Sequence, residues 1–418
     1  MKHSRIFYGW WIAGVCVLLM GTMFCLNINL MGIFVVPVTQ GLHISRAQFS
    51  VVSTITSLMG MFLSPIAGKI MAKKNIRYIM TVSIAICTLS YASFSFAQSP
   101  IHLYLSAIGI GFTFTFVANL PISILLNRWF VKSRSTVTSI AFAGANIGAM
   151  ILSPLVTGMI SSMGWRMSYR ILGFGMFVIL VPLVFFVIRS TPAEMGLEAY
   201  GTSELDSGAA HNQNHGLSLK YLRGKSVFWY FLAGLTLVVL TLGVMYHMPA
   251  HVVGLGYSEE QAAMFVSIYS AVAIAGKFLV GAVFDRYGSK AGILAAAGSL
   301  SVLFTCLLLF RSYPLVCLGG CFYGIGSASG TLLAPLLVGK IFGDKYYSEI
   351  VGFANAFTNL AMAINNPLFA SAFDLTGNYT VAWIGGLAAS LAGIVLLIIS
   401  ATKGHFLLVQ ATEQKQEI

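Results

Sequence analysis

The stretch VAIAGKFLVGAVFDRYG, residues 272–288, sets one lysine, Lys277, into an otherwise apolar run that reaches its first acid only at Asp285. A cation near the centre of a bilayer costs about 2.5 to 3.5 kcal/mol on insertion scales unless it has a partner or an aqueous cavity. Snorkelling to the interface is a poor remedy: Lys277 precedes Asp285 by eight residues, about 12 Å of helix, and a lysine reaches about half of that. Residues 1–189 contain no Asp or Glu, so that half of the chain offers no carboxylate to pair with it. A cation so placed is a natural seat for a substrate anion. Lys is a compact point charge without the flat fork of Arg, so it reads carboxylate geometry less strictly. One cation also suits a singly charged ligand, since a dianion would keep one poorly compensated charge.

Other polar groups in apolar surroundings extend the candidate set. His247 and His251 share a helical face at i, i+4. Imidazole titrates near neutrality, so His247 and Lys277 are proton-coupling candidates, His247 also being able to sense the bound carboxylate. Asn29, Asn119, Asn146, Tyr269 and Thr331 could complete a substrate site. Each has a plainer alternative, for Asn and Thr often bridge membrane helices and a lone His is commonly structural. No metal site is expected, because the two His lack a third ligand, and Cys16, Cys25, Cys87, Cys306, Cys317 and Cys321 have no ligand spacing. The runs GIGFTF and GIGSAS lack the lysine and the strand of a phosphate loop. Close helix packing accounts for them, with Pro121 and Pro335 adding kinks.

The elements that must position these groups are membrane helices. The 418 residues are 57% hydrophobic and 9% charged, with a mean hydropathy of +0.85. Stretches of about 20 apolar residues, enough to cross some 30 Å of hydrocarbon, run from 9 to 37, 47 to 71, 77 to 97, 101 to 126, 135 to 160, 167 to 188, 226 to 251, 261 to 284, 290 to 310, 313 to 342, 348 to 373 and 379 to 402. The net charge of +12 does not imply nucleic acid. With the N-terminus in the cytoplasm, 19 of the 24 Lys and Arg fall in cytoplasmic segments, four outside (Arg46, Arg166, Arg170, Arg311) and Lys277 within a helix. All six Trp then lie at helix ends, as an interfacial belt requires.

A shift of 213 residues superposes the halves: GKIMAKKN (68–75) falls on GAVFDRYG (281–288), ANIGAMILSPL (145–155) on TNLAMAINNPL (358–368), and Gly164 on Gly377. The polar segment 189–225 separates them as a cytoplasmic linker between domains 1–188 and 226–418. The expected fold is an all-α membrane protein of twelve transmembrane helices in two parallel six-helix repeats, with substrate held between the repeats near the midplane.

Gly281, Asp285, Arg286, Gly288 and Lys290 carry the G-x-x-x-D-R-x-G-x-K loop motif, and on it the chain resembles the major facilitator superfamily. The first copy keeps Gly68, Lys69, Lys73 and Arg77 but has Ala72 for the acid and Asn75 for the second glycine. The resemblance implies that Gly281, Asp285, Arg286 and Gly288, with Gly68, Lys69 and Arg77, form a conformational latch, weaker or differently built in the first half. A closer resemblance, to bacterial monocarboxylate transporters and the oxalate/formate antiporter group, rests on Tyr8-Gly9-Trp10, Arg128-Trp129-Phe130-x-Lys132, His247 with Gly254-Leu255-Gly256, and Phe373-Asp374-Leu375-Thr376-Gly377-x-Tyr379. In those families a helix-eight cation, usually Arg, binds the substrate carboxylate eight residues before the loop acid, and Asn119 and Lys277 match cavity-lining positions. The second cation of the oxalate type falls on Thr358 here.

The resemblance implies a secondary transporter of a lactate- or pyruvate-like monocarboxylate working by alternating access. Proton symport is expected, with anion exchange as the alternative and a non-transporting membrane anion sensor as a remote one. The expected partners are the organic anion, H+ and the bilayer, with no nucleic acid, cofactor or catalytic residue. The expected protein is a monomer in a bacterial cytoplasmic (inner) membrane, both termini in the cytoplasm.

Overall fold

In hydrocarbon no water is present to satisfy backbone N–H and C=O groups, so a chain of this composition must satisfy them within helices. The computed structural model describes residues 7–202 and 216–416, and they are helical almost throughout. Among them nine helices are long and apolar enough to cross a membrane. Two carry two passes each: Arg134–Val187 turns at Gly164, where φ is 78°, and Met264–Leu309 turns at Gly288, where φ is 81°. Tyr347–Thr376, of 30 residues, supplies the remaining pass.

We label the passes in chain order. In the first unit, Met1–His211, α1 is built from Gly9–Leu19, a π-helical stretch Met20–Asn29 and Met31–Leu42. Then α2 is Arg46–Lys73, α3 is Ile76–Ser93, α4 is Pro100–Phe114 with Asn119–Trp129, and α5 and α6 are the parts of Arg134–Val187 before and after Gly164. In the second unit, Asn212–Ile418, α7 is Ser226–Thr241, a 3-10 turn Leu242–Tyr246 and Met248–Gly254. The helix Glu259–Ile293 gives α8 up to Gly288, and α9 continues from there to Leu309. Finally α10 is Tyr313–Gly326 with Ser329–Phe342, α11 is Tyr347–Thr376 and α12 is Thr380–Gln416.

Phe62, Ile101, Leu105, Met150, Val178 and Phe186 are each more than 60% exposed on these helices. So much bare apolar surface is tolerable only against lipid.

The internal repeat extends to individual hydrogen bonds. Ser45 and Gln48 form a capping box at the start of α2, and Ser258 and Gln261 form the same box at the start of α8, 213 residues on. The Tyr104 hydroxyl donates to the Gln48 carbonyl (3.0 Å), and the Tyr313 hydroxyl donates to the Gln261 carbonyl (2.8 Å). At the opposite helix ends, Arg128 Nη2 donates to the Met71 carbonyl at 3.0 Å, and Lys340 Nζ donates to the Phe284 carbonyl. Each basic group thus satisfies a carbonyl in the last turns of α2 or α8.

Helix contacts are made close by glycine. A Cβ on Gly148 of α5 would lie 2.0 Å from the Gly21 carbonyl oxygen of α1. On Gly324 of α10 it would lie 2.7 Å from the Tyr269 carbonyl oxygen of α8. The Gly-rich runs therefore serve helix packing. Gly324→Ala should lower the apparent melting temperature in detergent by about 2–10 °C, whereas Gly385→Ala, whose Cβ meets nothing within 4 Å, should leave it unchanged; comparable melting of both variants would contradict the packing role.

Candidate functional site

Among the described residues four passes are broken and correspond between the units, α1 with α7 and α4 with α10, while α9 carries a π-helical stretch, Leu294–Gly298, without a counterpart. Pro121 lacks an N–H and its ring crowds the carbonyl four residues back, at Val117; α4 accordingly breaks over residues 115–118. Pro249 has the same effect on α7, whose 3-10 turn Leu242–Tyr246 ends just before it. The break in α1 has no proline; π-type bonding over Met20–Asn29 gives way at Leu30. In α10 the interruption is milder, a turn through Ser327 and Ala328.

Four of the sequence-derived candidates sit at these breaks: Asn29 beside Leu30, Asn119 directly after Ala118, His247 directly after Tyr246, and Thr331 just past Ala328. Such a break frees polar backbone and places side chains where a helix would have hidden them. Asn119 Oδ1 and Thr331 Oγ1 are buried with no hydrogen-bond partner among the described residues. Asn29 is exposed and donates from Nδ2 to the Ala145 carbonyl of α5 at 3.1 Å, an interhelical bond of the plainer kind. Asn146 and its repeat partner Asn359 both interact with other groups, consistent with a packing role.

Lys277 stands apart from the breaks, on the uninterrupted part of α8. It is 5% exposed and is the one Lys, Arg, Asp or Glu among the described buried residues. Its ammonium is not without a partner in the folded chain. The preceding Gly276 is pressed against α10: a Cβ there would lie 2.7 Å from Ile325 Cα. The depth of the lysine is therefore fixed by backbone contact. Tyr269, two turns earlier on α8, is 8% exposed and meets the Tyr323 ring of α10 edge-on, centroids 5.1 Å apart.

His247 Nδ1 lies 3.4 Å from the hydroxyl of Tyr379, in the bend just before α12. His251 meets the Trp383 ring edge-on at 5.5 Å, and His251 Nε2 and Trp383 Nε1 are both buried without a hydrogen-bond partner among the described residues. Tyr379 also stacks on Trp383 (5.0 Å) and on Phe373 (4.4 Å). The side chain of Asp374 lies outside the described residues. Among the described residues no group of three or more His, Cys, Asp and Glu could hold a metal ion.

The motif regions draw together within each unit. Tyr8 donates to the Val187 carbonyl (2.8 Å), and Phe7, Tyr8, Trp10, Trp129, Phe130 and Tyr200 form one aromatic cluster. Tyr200 was not singled out in the sequence. It belongs to the polar segment after α6, which docks by main-chain hydrogen bonds between Tyr200 and the Trp129–Lys132 backbone, 2.9–3.1 Å long. At the far end of the segment, Leu217 N donates to the Phe342 carbonyl at 3.0 Å. Both described ends of the segment read as a plain linker are thus tied to the exits of α4 and α10.

The two loop motifs differ as their residues require. Gly288 turns the chain with φ 81°, whereas Asn75, its counterpart, keeps φ at −70° and caps α3 with its own side chain, accepting from Arg77 N at 3.0 Å. Arg77 stacks its guanidinium on Phe185, 4.4 Å from the ring centroid. Asp285 is exposed and engaged with another group. Where the first copy has Ala72, a carboxylate arrives from the polar segment: Glu194 accepts from Asn75 Nδ2 (3.4 Å) and from Ser190 N (3.2 Å), and lies within electrostatic reach of Arg128. Ser190 Oγ completes the joint, donating to Asn75 Oδ1 (2.7 Å) and accepting from Ile76 N (2.9 Å). Glu194→Gln should loosen it, seen as faster proteolytic cleavage within residues 189–202 and a lower melting temperature. Ala72→Asp in the same background should restore part of the loss, and an unchanged digestion pattern in Glu194→Gln would rule the joint out.

The family model described as "Major Facilitator Superfamily" matches residues 11–290 and 253–413. The chain is similar to mouse monocarboxylate transporter 12, with 21% identity covering 98% of this chain and 87% of that protein. It is also similar to the Bacillus subtilis glycerol-3-phosphate transporter, with 24% identity over 88% and 86% of the two chains. Among solved structures, the E. coli fucose:proton symporter superposes with a TM-score of 0.66 at 16% identity, covering 95% of this chain and 98% of that one.

Proposed function

For a chain that belongs to the major facilitator superfamily, and is therefore a membrane transport protein, we propose that the cargo is a small monocarboxylate of the lactate or pyruvate type, moved together with a proton. The observation that carries this reading is Lys277, a buried ammonium held at fixed depth in a membrane helix. A compact monoanion neutralises it one for one, and the ion pair gains strength from the low dielectric around it. The name of the mouse relative points the same way. Within the unit that carries Lys277, Thr331, whose buried oxygen has no hydrogen-bond partner among the described residues, is the group we assign to the polar remainder of the cargo, with Tyr269 as an aromatic wall; Asn119, buried in the same way, is our candidate in the first unit. Asn29 and Asn146 contribute through packing. His247, paired with Tyr379 at the break in α7, is our candidate proton carrier together with Lys277. On the positive-inside rule both termini face the cytoplasm of a bacterial cell, and we take the protein to act as a monomer. Domain limits of 1–188 and 226–418, and a latch formed around Asp285 and its counterpart near Ala72, belong to the same proposal.

A second reading, exchange of organic anions including phosphate esters, is favoured by the glycerol-3-phosphate relative. Uptake into proteoliposomes of labelled lactate, pyruvate, formate, oxalate and glycerol 3-phosphate, with and without an inward proton gradient, separates the two. Symport predicts proton-stimulated uptake of a monocarboxylate into vesicles empty of counter-substrate; exchange predicts uptake only when the vesicles are preloaded. Lys277→Gln should abolish uptake by at least a hundredfold while the protein remains folded, and Lys277→Arg should keep a measurable fraction of it. Wild-type rates in Lys277→Gln would make the lysine structural. His247→Gln should retain exchange of cargo and lose the stimulation by protons; retention of both would remove His247 from the coupling path.

A further inference from the structure

We propose that the groove between the start of α7 and the later part of α12 binds an anionic phospholipid. The groove, about 720 Å³ in volume, lies in the second unit, between the start of α7 at Ser226 and Thr402, Lys403 and Phe406 of α12. The apolar span of α7 begins at Ser226, so its start marks the edge of the hydrocarbon, where headgroups lie. Trp229 gives the same depth independently: its ring is 46% exposed and its indole N–H donates to the Arg223 carbonyl at 3.0 Å, the half-wet arrangement of an interfacial tryptophan. The Ser400 hydroxyl donates to the Val227 carbonyl (3.1 Å), so the two helices are tied together beside the groove.

The lining combines charged and apolar groups. Lys225 and Lys403 supply two ammonium groups, and among the described residues no carboxylate lines the groove. Lys403 is exposed, and Lys225 lies over the Tyr221 ring at 5.0 Å. Thr402 spends its hydroxyl proton on the Ile398 carbonyl (2.9 Å) and so offers lone pairs to a headgroup hydroxyl. The rest of the lining is apolar: Val227, on the membrane side of Lys225, and Phe406, 62% exposed and about one turn past Lys403 on α12. A free phosphate ion would use the ammonium groups alone. A phosphodiester between the lysines, its glycerol against Phe406 and its acyl chains entering the bilayer past Val227, uses both, and basic pockets at helix ends are suited to such lipids.

The test is titration of the purified protein in detergent with phosphatidylglycerol or phosphatidylcholine, read by native mass spectrometry and by thermal shift. Phosphatidylglycerol should bind at least tenfold more tightly. The double variant Lys225→Gln/Lys403→Gln should bind it about thirtyfold more weakly, each ammonium near the surface being worth about five- to sixfold, while Lys225→Arg/Lys403→Arg should keep wild-type affinity. The single Gln variants, each with its own five- to sixfold loss, decide the matter if the double variant does not fold. Equal affinity for the two lipids, wild-type binding by the Gln variants, or displacement of phosphatidylglycerol by millimolar inorganic phosphate would each overturn the assignment, the last in favour of a free-anion site.

Discussion

The exclusion of water from hydrocarbon governs this protein. Every backbone group inside the bilayer must find its partner within the chain, so an uninterrupted helix is the default and each interruption needs local compensation. Among the described residues interruptions are few: they lie in α1, α4, α7 and α10, with a π-helical stretch in α9. Freed backbone is tolerable at membrane depth only where protein covers it or water and ligand reach it. The clustering of Asn29, Asn119, His247 and Thr331 at these points follows the same logic, because a polar side chain and a freed carbonyl or amide share one need for partners. Candidates chosen by residue type and candidates chosen by backbone geometry converge on the same positions, and neither criterion contains the other.

Duplication makes the second constraint visible, since each unit serves as a reference for the other. Both units keep the capping box at the start of their second helix, the tyrosine on its carbonyl and the basic side chain on the carbonyl at its far end. Where one copy departs, the structure carries a specific replacement. Asn75 cannot take the φ of Gly288 without strain, and it instead caps α3 from an extended conformation. Ala72 brings no carboxylate, and the loop that carries it meets one from the polar segment, Glu194, at the Asn75 side chain. A motif is thus better described by the groups that meet at the joint than by the residues that follow one another in sequence.

What the sequence made legible was whatever hydrophobicity or repetition encodes: the spans, their duplication, the loop copies and the oddity of Lys277. The superfamily fold followed from these, and the family match agrees. Three features escaped. Helix one reads as a single apolar run, yet it changes to π-type bonding over Met20–Asn29, where Gly21 meets Gly148 backbone to backbone; that choice is made by the partner helix and leaves no local trace. Pro121 did signal a break, although the interruption lies upstream, on the carbonyl that the ring displaces; Pro335, expected to kink α10, sits inside the helix Ser329–Phe342, and Pro249, beside the break in α7, was not singled out. The polar segment 189–225 looked unremarkable because part of its docking is carried by main-chain bonds of Tyr200 and Leu217, for which residue identity is almost irrelevant, and the partners of Ser190 and Glu194 are distant in sequence.

On the proposed reading, Lys277 and the breaks divide binding between a charge and neutral polar groups. Neutral amides and hydroxyls can reorient at small cost, so placing Asn119 and Thr331 beside irregular backbone sacrifices little precision. An ammonium is different, since its interaction with an anion varies steeply with distance and with the dielectric around it. It gains from a rigid mount, and Lys277 has one: an unbroken helix whose adjacent Gly276 is pressed against Ile325 of α10. On the proposed reading a bound carboxylate adds one negative charge beside this ammonium, so occupancy changes the electrostatic cost of enclosing the site.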